Sequence, residues 1–200
     1  RILSAIIFLP LLGAVLVLLI PKNDRRLHRY VALMTCFITF VLSCVLVGKF
    51  NSGVAGMQFI ENYEWISSLK ISYLIGVDGL SVAFIPLTAL LFFLCIIASW
   101  DRTDGLKGYF SLFLLLETAV LGTFSAQDLF LLFTFWGAAL LPIYFMIGVW
   151  GNENSEYAAT KFFLYQLAGC ALLLLGMLAI YYTADPHSFS LADLAGDKFT

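Results

Sequence analysis

Two adjoining apolar runs between Tyr109 and Trp150 decide the fold. This stretch reads YFSLFLLLETAVLGTFSAQDLFLLFTFWGAALLPIYFMIGVW, and its two runs meet at the short polar sequence SAQD. An α-helix needs about 20 predominantly apolar residues to cross the hydrocarbon core of a bilayer. The runs at 109–125 and 128–150 therefore predict two membrane-spanning helices joined by a tight turn.

Four further runs have the same length and character: Ile2 to Ile20, Tyr30 to Gly48, about Gly79 to Trp100, and about Ala158 to Tyr182. Of the 200 residues, 62% are hydrophobic and 12% are charged, which is about half the charged share of a soluble domain. We therefore predict an all-α, polytopic membrane helix bundle with about six transmembrane helices. The composition and the net charge of −2 exclude a soluble domain, a disordered tail and a nucleic-acid-binding protein.

The remaining segments complete the expected organisation. Residues 49–78 form a long external loop in which large apolar residues alternate loosely, and this pattern predicts a small β-hairpin on the membrane surface. We place helices one to three in residues 1–108 and helices four to six in residues 109–182. The polar residues 183–200 are typical of an external loop, and we expect the chain to be truncated there.

The first run admits two interpretations, since Arg1 followed by apolar residues is also compatible with a cleaved signal peptide. The run is long, lacks a small-residue cleavage site and ends at Pro21, so a retained helix is favoured. Lysine and arginine set the orientation. Seven of them lie in loops 21–29 and 101–108 and at the start of helix six, against four on the other side. Both ends of the segment are therefore expected on the external, periplasmic side.

Glu117 is the clearest candidate for chemistry, because it has no neighbouring charge within the apolar stretch from Leu112 to Thr123. An ionisable residue inside a membrane helix is expensive and is therefore a functional candidate by default. One interpretation is a proton-carrying carboxyl that is protonated or paired with a cation from another helix. The other is a protonated glutamate that bonds structurally to a neighbouring helix.

Lys161, about one turn inside helix six, is the second proton-transfer candidate, although a lysine so near a helix end can also snorkel to the interface. Asp78 and Asp128 begin helices and are explained as N-caps. Pro86 and Pro142 interrupt helices three and five, where each can kink its helix.

Metal chemistry has no support in the sequence. His28 lies in the basic loop and His187 in the polar tail, and neither has a matching ligand set. The cysteines fall inside apolar runs without metal-ligand spacing and are interpreted as buried small hydrophobes: Cys36, Cys44, Cys95 and Cys170. No catalytic triad or nucleotide-binding turn is present, so the sequence indicates transport across a membrane or support of a machine that performs it.

A family resemblance sharpens this conclusion. The run LLLETAVLGTFSAQDLFLLFTFWGAALLPIYFMIGVWG (114–151) and the following EYAATKFFLYQLAG (156–169) resemble the antiporter-like membrane subunits of respiratory complex I. The type most similar is chain M of bacterial NADH-quinone oxidoreductase, equivalent to mitochondrial subunit four. The upstream segment IGVDGLS (75–81) also resembles these subunits. The resemblance covers nearly the whole chain and corresponds to the N-terminal part of such a subunit.

The resemblance implies a larger fold of about fourteen helices containing inverted repeats, of which 109–182 begins the proton-translocating unit. It implies a subunit of NADH:quinone reductase that moves protons, driven by quinone reduction elsewhere, with no cofactor, metal or redox site in this chain. The implied partners are other complex I membrane subunits, lipid and protons. The implied location is the bacterial inner membrane or its mitochondrial or plastid equivalent.

One position departs from the family pattern. In the family, a glutamate follows the Trp of an F-W-E motif in helix five and pairs with a lysine of helix seven. Here Phe135 and Trp136 are followed by Gly137, which can neither bind a proton nor pair with a cation. Gly137 is a loss-of-function substitution, a sign that the acid has moved in a natural member, or an error in the sequence.

The moved acid would be Glu117. Glu117 lies ten residues before Gln127 and Gly137 ten after it, so in antiparallel helices both lie about 15 Å from the same face. Three functions remain open: a proton-translocating subunit of NADH-quinone oxidoreductase, a subunit of a multisubunit Na+/H+ antiporter, and a non-conducting membrane scaffold. The missing helix-five acid favours the scaffold. Co-purification with quinone-reducing subunits or with antiporter subunits would distinguish the first two functions.

Overall fold

The computed structural model describes residues 1–21, 24–53, 56–66, 71–183, 189–191 and 194. Within them lie six helices and one hairpin: α1 (Ile2–Leu19), α2 (Arg25–Lys49), β1 (Gln58–Ile66), β2 (Ile71–Val77), α3 (Ser81–Ala98), α4 (Leu106–Ser125), α5 (Leu129–Trp150) and α6 (Ser155–Thr183). All six helices are long and apolar enough to cross a membrane. The predicted all-α membrane bundle with a small β-hairpin is confirmed.

Three helices begin earlier than the apolar runs suggest. The α2 helix starts at Arg25 rather than Tyr30, α4 at Leu106 rather than Tyr109, and α6 at Ser155 rather than Ala158. Hydropathy marks only the part of a helix inside the hydrocarbon, whereas the backbone hydrogen-bond ladder continues through a polar first turn. Most of the expected basic loop 21–29 is consequently helix.

The hairpin sits over one end of the bundle, which we call the hairpin end. Its strands are antiparallel, with Glu61 opposite Ile75 and Tyr63 opposite Tyr73. The Gln127 amide donates to the carbonyl of Leu74 at 2.9 Å. The turn between α4 and α5 is therefore tied to the second strand of the hairpin.

The helices bury two apolar clusters, with α4 contributing to both. Near the hairpin end, Ile6, Ile85 and Leu121 belong to the first cluster. Towards the opposite end, Phe110 and Leu114 belong to the second. The α4 helix packs against α1, α2, α3 and α5, whereas α6 packs mainly against α5. A polar group on the inner face of α4 is therefore enclosed by several other helices.

Candidate functional site around Glu117

Glu117 lies near the middle of α4, about 16 Å along the helix axis from Leu106 and about 12 Å from Ser125. Its side chain is 0% exposed. The sequence-based expectation of an acid deep within the bundle thus matches the position of this residue.

The carboxyl of Glu117 meets a thiol from another helix. The Sγ of Cys36, on α2, donates a hydrogen bond to Glu117 Oε2 at 2.9 Å. Among the described residues, Glu117 Oε1 has no hydrogen-bond partner and no cation lies within ion-pair distance of the carboxyl. Because a buried carboxylate is expensive unless it is paired, this environment accommodates the neutral acid.

The local sequence of α2 explains how Cys36 reaches Glu117. The helix buries one face, whose residues recur every three or four positions: His28, Ala32, Thr35, Cys36, Thr39, Ser43 and Leu46. The hydroxyls of Thr35 and Thr39 donate to carbonyls of α2 itself, at 2.8 and 2.9 Å. Cys36 lies on the same face and donates across to α4.

The interpretation of all four cysteines as buried small hydrophobes is wrong in part. Cys44 and Cys95 are exposed on the described chain, and Cys36 is buried but acts as a hydrogen-bond donor. Apolar surroundings in sequence do not reveal which side of a helix a residue occupies, so the partner of Glu117 was missed. The sequence signal that could have indicated this partner is the stripe of small polar residues along the buried face of α2.

Gly137 lies on α5, half-buried, and the structure does not bring it together with Glu117. A Cβ added at Gly137 would meet no heavy atom within 4 Å beyond its own stretch of helix, whereas the Glu117 carboxyl faces Cys36. The hypothesis that Glu117 replaces the helix-five acid required it to face α5. Glu117 and Gly137 are therefore expected at similar depth, but the Glu117 side chain faces α2 rather than α5.

A cavity of about 360 Å³ lies between α4, α5 and α6. Trp136 and Leu140 of α5 line it, together with Phe162 and Gln166 of α6. Its lining is largely apolar and does not include Glu117.

Lys161 occupies the second turn of α6, and its side chain is exposed. Its Nζ lies 5.9 Å from the ring centre of Tyr157, one turn earlier on the same helix. Since α6 packs mainly on α5 while Glu117 faces α2, the described chain does not join the two titratable candidates.

The two aspartates at helix starts are caps, as predicted. Asp78 Oδ1 accepts from the amides of Leu80 at 3.2 Å and Ser81 at 2.7 Å, and the Ser81 bond holds the pKa of Asp78 below its usual value. Asp128 Oδ1 accepts from the amides of Phe130 at 2.9 Å and Leu131 at 3.1 Å. Burial raises the pKa of Asp128.

The two prolines do not end their helices. The α3 helix continues from Ser81 to Ala98 through Pro86, and α5 continues from Leu129 to Trp150 through Pro142. The expected bounds of helices three and five already include these prolines, and the structure agrees, because neighbouring turns keep the helical backbone on either side. Local kinks at both positions stay a prediction.

His28 belongs to α2 rather than to a loop. Its ring is 1% exposed, and its Nδ1 lies 2.8 Å from the carbonyl of Asp24. The Nη2 of Arg29 donates to the carbonyl of Arg102 at 2.8 Å, which ties the start of α2 to the segment after α3. His187 lies outside the described residues.

A second polar cluster lies at the hairpin end. The hydroxyl of Ser4 donates to Glu61 Oε2 at 2.6 Å and lies 3.1 Å from the hydroxyl of Tyr73. Burial favours a higher pKa for Glu61, but the Ser4 hydrogen bonds, together with the amino group of Arg1 at 2.9 Å from Oε1, outweigh it and leave the pKa below its usual value. No sequence motif pointed to this cluster, because its members come from α1 and both strands.

Comparison with known proteins identifies the proteins that this chain resembles. Residues 126–196 match the family model described as NADH:quinone oxidoreductase/Mrp antiporter, TM. Over 199 residues the chain is 37% identical to NADH-quinone oxidoreductase subunit M of Rickettsia bellii (strain RML369-C), covering 96% of this chain and 40% of that protein. The chain is similar to this family of membrane subunits. It spans about two fifths of the length of that relative.

Solved structures agree with this similarity. A chain of respiratory complex I from Thermus thermophilus superposes with a TM-score of 0.86 at 26% identity, covering all of this chain and 40% of that one. A chain of the Mrp complex from Dietzia sp. DQ12-45-1b superposes with a TM-score of 0.81 at 18% identity, covering 98% and 21%, and shares the fold. The resemblance seen in the sequence is confirmed, and the chain is a multi-pass membrane protein. The functional site remains a prediction, with Glu117, Lys161 and Gly137 as its residues.

Proposed function

We propose that this chain is part of a proton-translocating membrane subunit of an NADH-quinone oxidoreductase, in which quinone reduction elsewhere drives proton movement. The observation that carries the proposal is the carboxyl of Glu117, sealed in the middle of α4 against a thiol and without a cation among the described residues. The named relative, NADH-quinone oxidoreductase subunit M, supports the assignment to that complex.

A buried acid can carry a proton when its surroundings change between two states. In the neutral form, Glu117 needs only hydrogen bonds, which the thiol of Cys36 supplies in part. A water molecule or a cation that reaches Oε1 would stabilise the carboxylate and release the proton, and its withdrawal would restore the neutral acid. Lys161 is the candidate cation of this chain, and it would act only after a rearrangement that brings charge closer to α4.

In this proposal, the chain takes part in H+-translocating NADH:quinone reduction without a redox site, metal or cofactor of its own. Its partners are other membrane subunits of the complex, the lipid bilayer and protons. The positive charges of Arg25, Arg29, Arg102 and Lys107 lie at the end opposite the hairpin, which supports a cytoplasmic or matrix location for that end. The hairpin end then faces the periplasm of a bacterial inner membrane or its organelle equivalent.

A subunit of a multisubunit Na+/H+ antiporter is the second candidate, because the chain shares its fold with the Mrp complex. Purification of the native complex distinguishes the two. Quinone-reducing subunits are expected to accompany this chain, and antiporter subunits in their place would favour the second candidate.

The direct test is NADH-driven proton uptake by inverted membrane vesicles that contain the intact complex. Uptake is normalised to the rate of NADH oxidation in the wild type, Glu117→Gln and Gly137→Glu. We expect Glu117→Gln to lower normalised uptake several-fold, because the amide cannot bind and release the proton. Unchanged uptake in Glu117→Gln would contradict a proton-carrying role for this acid.

Gly137→Glu tests the altered family position in the same vesicles. The space around Gly137 accepts a longer side chain without a collision at Cβ. Higher normalised uptake in Gly137→Glu would mean that Gly137 impairs a proton channel. Equal uptake in the wild type and Gly137→Glu would mean that the helix-five acid is dispensable. A non-conducting scaffold would show no dependence on either position.

A further inference from the structure

We propose that Cys36 is a positioning residue for Glu117: its thiol holds Oε2 as the acceptor, so that the proton is exchanged at Oε1. The inference rests on the proposed function, because it assigns the carboxyl oxygen at which Glu117, the proposed proton carrier, exchanges its proton. In the exchange step, the Oε1–H bond breaks and the proton passes to a water molecule, which leaves a carboxylate whose Oε2 still accepts from Cys36.

The geometry distinguishes the two carboxyl oxygens. Oε2 accepts from Cys36 Sγ at 2.9 Å, whereas Oε1 is buried and has no partner within the described part of the chain. A neutral carboxyl has one oxygen that accepts as a carbonyl and one that carries the proton. Because Oε2 already accepts from the thiol, the proton belongs on Oε1.

The pair also couples two helices. Cys36 and Glu117 lie on α2 and α4, are 81 residues apart in the chain, and are both 0% exposed. A thiol is a weak hydrogen-bond donor, so it fixes the rotation of the carboxyl more than it adds affinity for one protonation state. A displacement of α2 relative to α4 would therefore change the direction in which Oε1 points.

Packing alone is the alternative explanation for Cys36, because its side chain also belongs to an apolar cluster with Val17, Ile96 and Leu114. Cys170 provides the matched control. It is a buried cysteine on α6, 6% exposed, and makes no hydrogen bond within the described residues. Replacement of either cysteine by alanine removes a similar volume, but only the change at position 36 removes a donor to Glu117.

The experiment compares Cys36→Ala, Cys36→Ser, Cys170→Ala and Glu117→Gln in the intact complex. Infrared spectra follow the C=O stretch of the Glu117 acid, which is assigned by its disappearance in Glu117→Gln. We expect this band to move to higher frequency in Cys36→Ala, because the carbonyl loses a donor. It should stay near or below its wild-type frequency in Cys36→Ser and be unchanged in Cys170→Ala.

Proton uptake per NADH oxidised provides the second readout. We expect a several-fold loss in Cys36→Ala, near-complete rescue in Cys36→Ser and wild-type uptake in Cys170→Ala. An unmoved C=O band in Cys36→Ala, or equal losses of uptake in Cys36→Ala and Cys36→Ser, would overturn the positioning role. If Cys36→Ala does not assemble, Cys36→Ser carries the test, and a C=O band above the wild-type frequency overturns the proposal.

The outcomes also separate this inference from the proposed function. Loss of uptake in Glu117→Gln together with wild-type uptake and an unmoved C=O band in Cys36→Ala overturns the inference alone. Full uptake in Glu117→Gln overturns the proposed function and, with it, proton exchange at Oε1.

Discussion

The α4 and α6 helices place a polar group in the membrane in different ways. Of the most apolar 18-residue window in each helix, 56% is buried in α4 but only 11% in α6. Glu117 on α4 is enclosed and receives a thiol donor from α2. Lys161 on α6 lies exposed above a tyrosine ring. A glutamate side chain is short, so its partner must lie beside it within the membrane. A lysine side chain is long enough to place its charge at the interface.

Charge reversals at Glu117 and at Lys161 should give the largest difference, which is a difference in assembly of the complex. We expect Glu117→Lys to abolish assembly, because it buries an unpaired cation at a cost of several kcal/mol. We expect Lys161→Glu to assemble at near wild-type levels, since its position is exposed. The amount of intact complex on a native gel measures both effects, and comparable assembly of the two variants would remove the distinction between the regions.

Glycine substitutions test the same contrast at the α4–α5 interface. A Cβ at Gly122 would overlap the ring of Phe135, whereas a Cβ at Gly137 meets open space. We expect Gly122→Ala to destabilise the complex by about 1–3 kcal/mol through overpacking. Gly137→Ala should be neutral or stabilising by up to about 1 kcal/mol, because alanine favours the helix.

Thermal unfolding of the purified complex in detergent checks this pair of variants. The midpoint should fall in Gly122→Ala and stay at or above the wild-type value in Gly137→Ala. A lower midpoint in Gly137→Ala alone would mean that α5 is the closely packed helix at this depth, contrary to the structure.

The smallest expected effect concerns the attachment of the hairpin to α1. The pKa of Glu61 is lowered in the folded protein, so its carboxylate stabilises the docked hairpin above the usual pKa of the group. This contribution is lost as the pH falls through the lowered pKa. A hydrogen bond of the kind that Ser4 donates to Glu61 is worth about 1 kcal/mol net.

Thermal midpoints of the wild type and Glu61→Gln, measured from neutral to acidic pH, test this expectation. The advantage of the wild type should be present at neutral pH and shrink as the solution is acidified below the usual range of a glutamate. Ser4→Ala should reduce the same advantage. A difference that is constant across the whole pH range would show that the Glu61 charge does not hold the hairpin.

Local chemistry explains the parts of the fold that the sequence predicted. Six apolar runs gave six helices, and alternating residues in 49–78 gave the hairpin, because length and periodicity are properties of a segment alone. Asp78 and Asp128 were predicted as caps for the same reason, since an N-cap bonds amides two or three residues further along the chain. The start of α2 was missed, because His28 and its basic neighbours are not apolar.

The sequence by itself determined that this chain crosses the membrane repeatedly, that it resembles the complex I antiporter-like subunits, and that Glu117 lies deep within an apolar helix. Only the tertiary structure decided that Glu117 faces Cys36 rather than Gly137, and that Glu61 meets Ser4 across α1 and the hairpin. Depth along a helix follows from counting residues at 1.5 Å each. Direction around the helix is selected by how whole helices pack, and that packing joins residues far apart in the chain.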